Sequence, residues 1–291
     1  MTLRPLTQAL ALSLLASAAL AQDATPAPNF PVLPPPAMDA PAATEASALD
    51  RAIAGDWRTP ANVARDRYRH PAQTLAFFGV QPGQNLIEIW PGGGWYSEIL
   101  APLQRDAGTY TAVVPRPGKP GDGNDRGNTK LRAMFAAKPE VYGQPTVREV
   151  DPAAPVLGPP NSADVVLTFR NAHNWVMAGN EAAMFKAFFD VLKPGGTLGL
   201  VDHRARPDQP PAEMKSSGYL PEDYVIGLAK AAGFELADRS EVNANPADTK
   251  DYAKGVWTLP PVLTLGEQDR DKYQAIGESD RMTLRFTKPR Q

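Results

Sequence analysis

Residues 86–96 read Leu86-Ile87-Glu88-Ile89-Trp90-Pro91-Gly92-Gly93-Gly94-Trp95-Tyr96. An apolar run breaks into three consecutive glycines and then resumes with bulky side chains, the pattern of a strand, a turn and a helix. A turn without Cβ atoms lets backbone N–H groups approach a ligand closely, as nucleotide-binding folds require. Glycine loops alone leave the ligand open. No Gly-Lys-Ser/Thr follows, so the P-loop is excluded. A dinucleotide site would carry a further glycine where Ser97 stands and an acid closing the second strand, and neither is present. Glu88 discriminates further. It lies mid-strand between Ile87 and Ile89, four residues before the first loop glycine. A buried carboxylate is costly unless it is bonded, so the loop or a ligand is expected to donate to it.

Outward from this stretch, short apolar runs alternate with helical periods. Strands are expected at residues 85–90, 109–114, 146–150, 163–169, 197–202, 234–240 and 281–287. Helices are expected at 45–56, 71–78, 95–103, 128–137, 181–192 and 221–232. Several strands are unbroken apolar runs, Asp164-Val165-Val166-Leu167-Thr168-Phe169 among them, which suits a sheet covered on both faces. Strand–helix alternation over this length predicts a Rossmann-like, doubly wound α/β domain over residues 45–291. The Lys193-Pro194-Gly195-Gly196 run reads as the turn that stops a helix before the fifth strand. Residues 115–145, rich in glycine and proline, are placed to cover a pocket. Tyr252, Trp257 and Tyr273, between the last two strands, either line a pocket or fill the core.

On these residues the sequence resembles the class I S-adenosylmethionine-dependent methyltransferases, whose first motif is an acid near the end of the first strand followed by a glycine-rich loop. More narrowly, Glu88 to Tyr96 is similar to an E-I-W-P-G-G-G-W-Y motif of a group of exported predicted methyltransferases. The likeness continues through Arg69-His70-Pro71, Leu192 to Gly196, Asp202-His203-Arg204 and Asp280-Arg281-Met282-Thr283, covering about residues 45–288. The resemblance implies strand order 3-2-1-4-5-7-6 with the last strand antiparallel. It also implies S-adenosylmethionine as cofactor, held by Glu88, Pro91, Gly92, Gly93, Gly94 and Asp151.

Two positions depart from the broad pattern. Trp90 stands where the family often has glycine. A residue before proline favours extended dihedrals, so Trp90 is expected to prolong the strand, its ring at the pocket mouth or against the next helix. The acid that usually bonds the cofactor ribose is missing, since the second strand ends Ala112-Val113-Val114-Pro115. A charge-assisted hydrogen bond contributes about 1.5–3 kcal/mol, so its loss weakens affinity about ten- to hundredfold. Asp122 or Asp125 could replace it, or could simply be solvated. Asp151 matches the place where relatives contact adenine, or caps the turn at Pro152.

The three histidines lie outside the expected elements: His70 before a helix, His173 after the fourth strand and His203 after the fifth. In a doubly wound sheet the ends of strands one, four and five form one rim, where ligands bind. Asn171, Asn174, Trp175 and Asp202 share it. Three readings stand. His173, with His203 second, removes the acceptor's proton in methyl transfer, with His70, Asn171 and Trp175 facing a small acceptor. The chain is instead a non-catalytic periplasmic binding protein on this fold. Least favoured, His70, His173, His203 and Asp202 ligate a metal for hydrolysis, although no i, i+3 or i, i+4 histidine pair supports this. Each histidine alone also fits a loop residue bonding a nearby carbonyl. Arg67, Tyr68 and Arg69 read as a solvated basic face.

Composition narrows the setting. There is no cysteine, which excludes disulfides, thiolate zinc sites and a lipidated N-terminal cysteine. The net charge of -2 points to no nucleic-acid partner. Arg4, the apolar run from Leu6 to Leu20, and Ala19-Leu20-Ala21 read as a signal peptide over residues 1–21, cleaved before Gln22. Residues 22–44 read as a proline-rich, disordered tether: seven prolines in the nineteen residues 23–41 remove donors and helical dihedrals. With no second apolar span, the expected product is soluble, exported and free of stable membrane insertion.

Overall fold

The structure, a computed structural model, describes residues 46–290. The expected signal peptide and tether lie outside the described residues. The sheet has seven strands: β1 (Asn85–Ile89), β2 (Thr109–Pro115), β3 (Thr146–Val150), β4 (Ala163–Phe169), β5 (Leu192–His203), β6 (Glu235–Ser240) and β7 (Arg281–Thr287). Their order is β3-β2-β1-β4-β5-β7-β6, as expected. The first five run parallel, and β7 lies antiparallel between β5 and β6.

The apolar runs explain the two-layer core. In β4, Val166 packs into a cluster with Phe185, Phe188, Leu198 and Phe286. Its neighbours Val165 and Leu167 point the other way, among Leu75, Phe78, Ile99 and Leu100. Alternation along a strand sends successive side chains to opposite faces, and each fully buried Val or Leu contributes about 1.5–3 kcal/mol. At Gly199 of β5 the ring of Phe78 packs closely against the sheet. A Cβ there would sit 2.6 Å from Cγ of Phe78 and 2.7 Å from Cδ2 of Leu167.

Four local readings are corrected by the structure. Trp90 does not prolong β1: the strand ends at Ile89, and Trp90 takes φ +49 after its N–H reaches the Val113 carbonyl at 2.7 Å. Ring packing against Trp175, 5.5 Å away and edge-on, outweighs the pre-proline preference. The Lys193–Gly196 run does not precede the fifth strand but bulges inside it. Leu192 pairs with Ala163 before the bulge and Thr197 pairs with Val165 after it. The helix expected from residue 128 begins at Gly123, because the Asp122 carboxylate caps it by accepting from the Asp125 N–H at 2.9 Å. Finally, His173 is not in a loop. It lies in the first turn of a helix, Ala172–Ala178, that periodicity did not reveal in so short a segment.

Candidate active site

Glu88 is buried near the C-terminal end of β1, and its Oε2 is held by two donors. Ser97 Oγ, at the start of the helix Ser97–Gln104, donates at 2.9 Å, and Tyr110 OH, from β2, donates at 2.5 Å. Burial pushes its carboxyl up to about 7, even though both hydrogen bonds and the charge of Arg69 pull it down. The bonding expected of Glu88 thus comes from the following helix and from β2. Its other oxygen has no hydrogen-bond partner among the described residues, and Glu88 lines a cavity.

The glycine loop divides by role. Gly94, at φ +81, lies under Met134, whose Cε would be 2.9 Å from a Cβ. Gly92, at φ +58, and Gly93 have nothing within 4 Å of where a Cβ would stand. The positive φ angles require glycine at Gly92 and Gly94, the tip of Met134 being free to shift, while Gly92 and Gly93 leave open space.

Two cavities flank this loop and share Trp90, Gly92 and Asn171. One, of about 250 Å³, lies between the end of β2 and the helix Gly123–Ala137, lined also by Val114, Asn128 and Leu131. The segment placed to cover a pocket thus supplies a wall. The other, of about 170 Å³, contains Arg65, Arg69, Glu88 and Arg170. Asn171 fixes the joint between them by donating to the Ile89 carbonyl at 2.8 Å. A larger cavity, about 450 Å³, lies around Pro82, Pro102 and Ala107, before β1 and β2 begin. That is the opposite strand end from the one where doubly wound sheets bind ligands.

The basic face expected at Arg67–Arg69 is solvated only in part. Arg69 is buried and, with Arg65 and Arg281, converges on the buried Glu278 carboxylate at 3.2, 2.7 and 3.2 Å. Burial alone would raise Glu278, but Arg69, Arg281, Arg170 and Arg65 together hold it at about 2. Burial and the charge of Arg170 push Arg69 down to about 9. Nη2 of Arg65 and Nη2 of Arg69 are buried without partners. The i, i+4 spacing of Arg65 and Arg69 was the available signal, but the acid they meet is more than two hundred residues away in sequence.

A third cavity, of about 190 Å³, adjoins the second through Arg170 and reaches His173, Asn174, His203 and Trp257. At its back lies Asp202, fully buried at the end of β5. Asp202 Oδ2 accepts from the Ala172 N–H at 2.6 Å, and Oδ1 accepts from the His203 N–H at 2.7 Å and from Nδ1 of His173 at 2.8 Å. A carboxylate only accepts, so His173 carries its proton on Nδ1 and leaves Nε2 as a free acceptor. His203 packs 4.9 Å from His173, ring centre to ring centre, and its Nδ1 bonds Ser279 Oγ at 2.5 Å. Burial, then His173 and the arginines Arg170, Arg281 and Arg69, hold His203 well below its ordinary value, so it is neutral.

Not every expected residue joins the site. Trp175 is fully buried, edge-on to Trp90 and Phe188, and is a core residue with no face to an acceptor. His70 lines none of these cavities; it turns the chain between two helices at φ +42. Asp151 is exposed and occupied in capping its own turn, accepting from the Ala153 N–H at 2.9 Å. Asp122 and Asp125 likewise serve local backbone, Asp125 accepting from Gly121 N–H at 2.7 Å. His173, Asp202 and His203 bring ligand-type atoms within 4.8 Å of one another, without His70. Both Asp202 oxygens are already engaged, and the nearby arginines make a field that repels a divalent cation.

No protein-family model matches the sequence, and no curated protein matches it either. Solved structures do match. A SAM-dependent methyltransferase from Aquifex aeolicus is 16% identical with a TM-score of 0.53, over 79% of this chain and 94% of that one. The [4+2]-cyclase SpnF is also 16% identical, with a TM-score of 0.54, over 77% of this chain and 81% of that one. At this identity the likeness concerns the fold, and a cyclase among the neighbours shows that the fold does not dictate the reaction. Strand order, the antiparallel β7 and these neighbours agree: the chain has the fold of the class I SAM-dependent methyltransferases.

Proposed function

We propose that the protein transfers a methyl group from S-adenosylmethionine to a small acceptor, in an exported compartment. The observation that carries this reading is the pair of cavities joined at Trp90, Gly92 and Asn171, on the strand ends where this fold takes its ligands. The residues fit the cofactor on three counts. Gly92 and Gly93 are open where side chains would intrude. Glu88 offers a free oxygen to a cationic group, and Arg65 and Arg69 offer orphaned guanidinium nitrogens to a carboxylate. The apolar wall of the 250 Å³ cavity, Val114 and Leu131, suits an adenine ring.

When bound, S-adenosylmethionine supplies a methyl carbon on a sulfonium, which leaves as a neutral thioether. Within the chain, His173 accepts the acceptor's proton at Nε2, because Asp202 holds its Nδ1–H and stabilises the resulting imidazolium. His203, kept neutral by burial, packs beside that ring without competing for the proton. Positioning is the larger part of such catalysis, and Asn171 bridging the ends of β1 and β4 supplies rigidity at the joint.

The ribose acid has no substitute in Asp122 or Asp125, which favours one second reading, a binding protein on the same fold. Calorimetric titration with S-adenosylmethionine and S-adenosylhomocysteine tests the first. Binding is expected, with Glu88→Ala weakening it at least tenfold. No heat at millimolar ligand would remove the cofactor from the proposal. Export is checked separately by N-terminal sequencing of protein secreted by a Gram-negative host, where the first residue is expected to be Gln22.

A further inference from the structure

Arg170 is a cation without an acid. It leaves β4 at φ +61, having given its N–H to the Val201 carbonyl at 2.7 Å, and it lines both the Glu88 cavity and the His173 cavity. Its neighbours Arg65, Arg69 and Arg281 all reach Glu278. Among the described residues the Arg170 side chain makes no hydrogen bond or ion pair. Neither nearby carboxylate is open to it: Glu278 is shared by three guanidinium groups, and Asp202 is filled by backbone N–H groups and His173. A non-glycine residue in the left-handed region is strained. Both features, strain and an unpaired charge, gather at ligand sites.

We infer that the His173 cavity is the acceptor site, and that the acceptor is a small anion whose carboxylate or phosphate pairs with Arg170 while its nucleophile faces His173. This rests on the methyl-transfer reading for the nucleophile, though not for the anion. The volume of about 190 Å³ lies below the range of sites for drug-sized ligands and fits a compact molecule. Trp257, Pro260 and Pro261 give it an apolar wall, so the matching ligand carries an apolar body and one anionic end. Burial above all pushes Arg170 down to about 10, with Arg281 and Arg65 adding to it against the pull of Glu278 and Asp202, so an arriving anion offsets the cost of a desolvated charge. The same anion chemistry could come from the cofactor's own carboxylate, reached through the shared Arg170.

Benzoate and its neutral isostere benzamide separate these cases when titrated into the protein alone and into protein saturated with S-adenosylhomocysteine. A charge-assisted hydrogen bond predicts at least tenfold preference for benzoate. The preference is expected to persist with S-adenosylhomocysteine bound, to vanish in Arg170→Gln and to return in Arg170→Lys. Equal binding of the two probes would overturn the proposal, as would a preference that survives Arg170→Gln. Displacement of benzoate by S-adenosylhomocysteine would overturn it too, by assigning Arg170 to the cofactor. If S-adenosylhomocysteine does not bind but the Arg170-dependent preference remains, the methyl-transfer reading fails and the anion site stands.

Discussion

Glu88 couples the site to pH. Its carboxyl sits at about 7 in the folded protein, against 4.5 as the ordinary value. For a raised value, the stabilisation is fully present below 4.5 and is lost as pH rises through about 7, because ionisation then acts against burial. The difference corresponds to about 3 kcal/mol. Thermal unfolding followed from pH 4.5 to 8 should therefore show a falling contribution in the wild type that Glu88→Gln removes. Burying the carboxylate was legible from its place in an apolar strand. Its partners were not, since Tyr110 and Ser97 reach it only once β2 and the next helix are packed. Trp90 is the opposite case, where the local rule lost. A left-handed Trp costs about 1–2 kcal/mol, while removing a packed Trp ring costs about 3–5 kcal/mol, so packing decides.

At the scale of elements, the strands were readable because each is an apolar run bounded by turn residues, and the six expected helices all form, with shifted ends. The short helices were missed for a physical reason. Asp66–Arg69 is a single turn, and Ala172–Ala178 lacks the N-terminal proline that marks the equally short Pro71–Phe77; such helices form only on a tertiary surface. The Ala172–Ala178 helix is held at its start by Asp202, a residue of another strand. Close approach between elements sets a further expectation. Phe78 fills the space over Gly199, so Gly199→Ala should cost about 1–3 kcal/mol by overpacking. Chemical denaturation would measure it. Affinity for S-adenosylhomocysteine should be unchanged, because Gly199 lies mid-strand, away from the rim.

Across the whole molecule, Glu278 gathers three arginines from the two ends of the domain, Arg65 and Arg69 before the sheet begins and Arg281 at the start of its last strand. Removing one partner of a buried ionic group leaves uncompensated charge, so Glu278→Gln should cost about 3–5 kcal/mol in denaturant unfolding. Its lowered carboxyl gives the opposite acid dependence to Glu88. The stabilisation is present above 4.5 and lost as pH falls through about 2. Among the described residues, no helix is long and apolar enough to cross a membrane. The sequence by itself determined the sheet, its glycine loop and the rim that holds His173, His203 and Asn171, because periodicity and turn chemistry are local in the chain. The tertiary structure alone decided which of those residues face a cavity. It buried Trp175, turned Asp151 to its own backbone, and brought Arg65, Arg69, Arg170 and Glu278 together. Those residues lie up to 213 positions apart in the chain, and neither burial nor charge pairing over that distance is encoded in spacing.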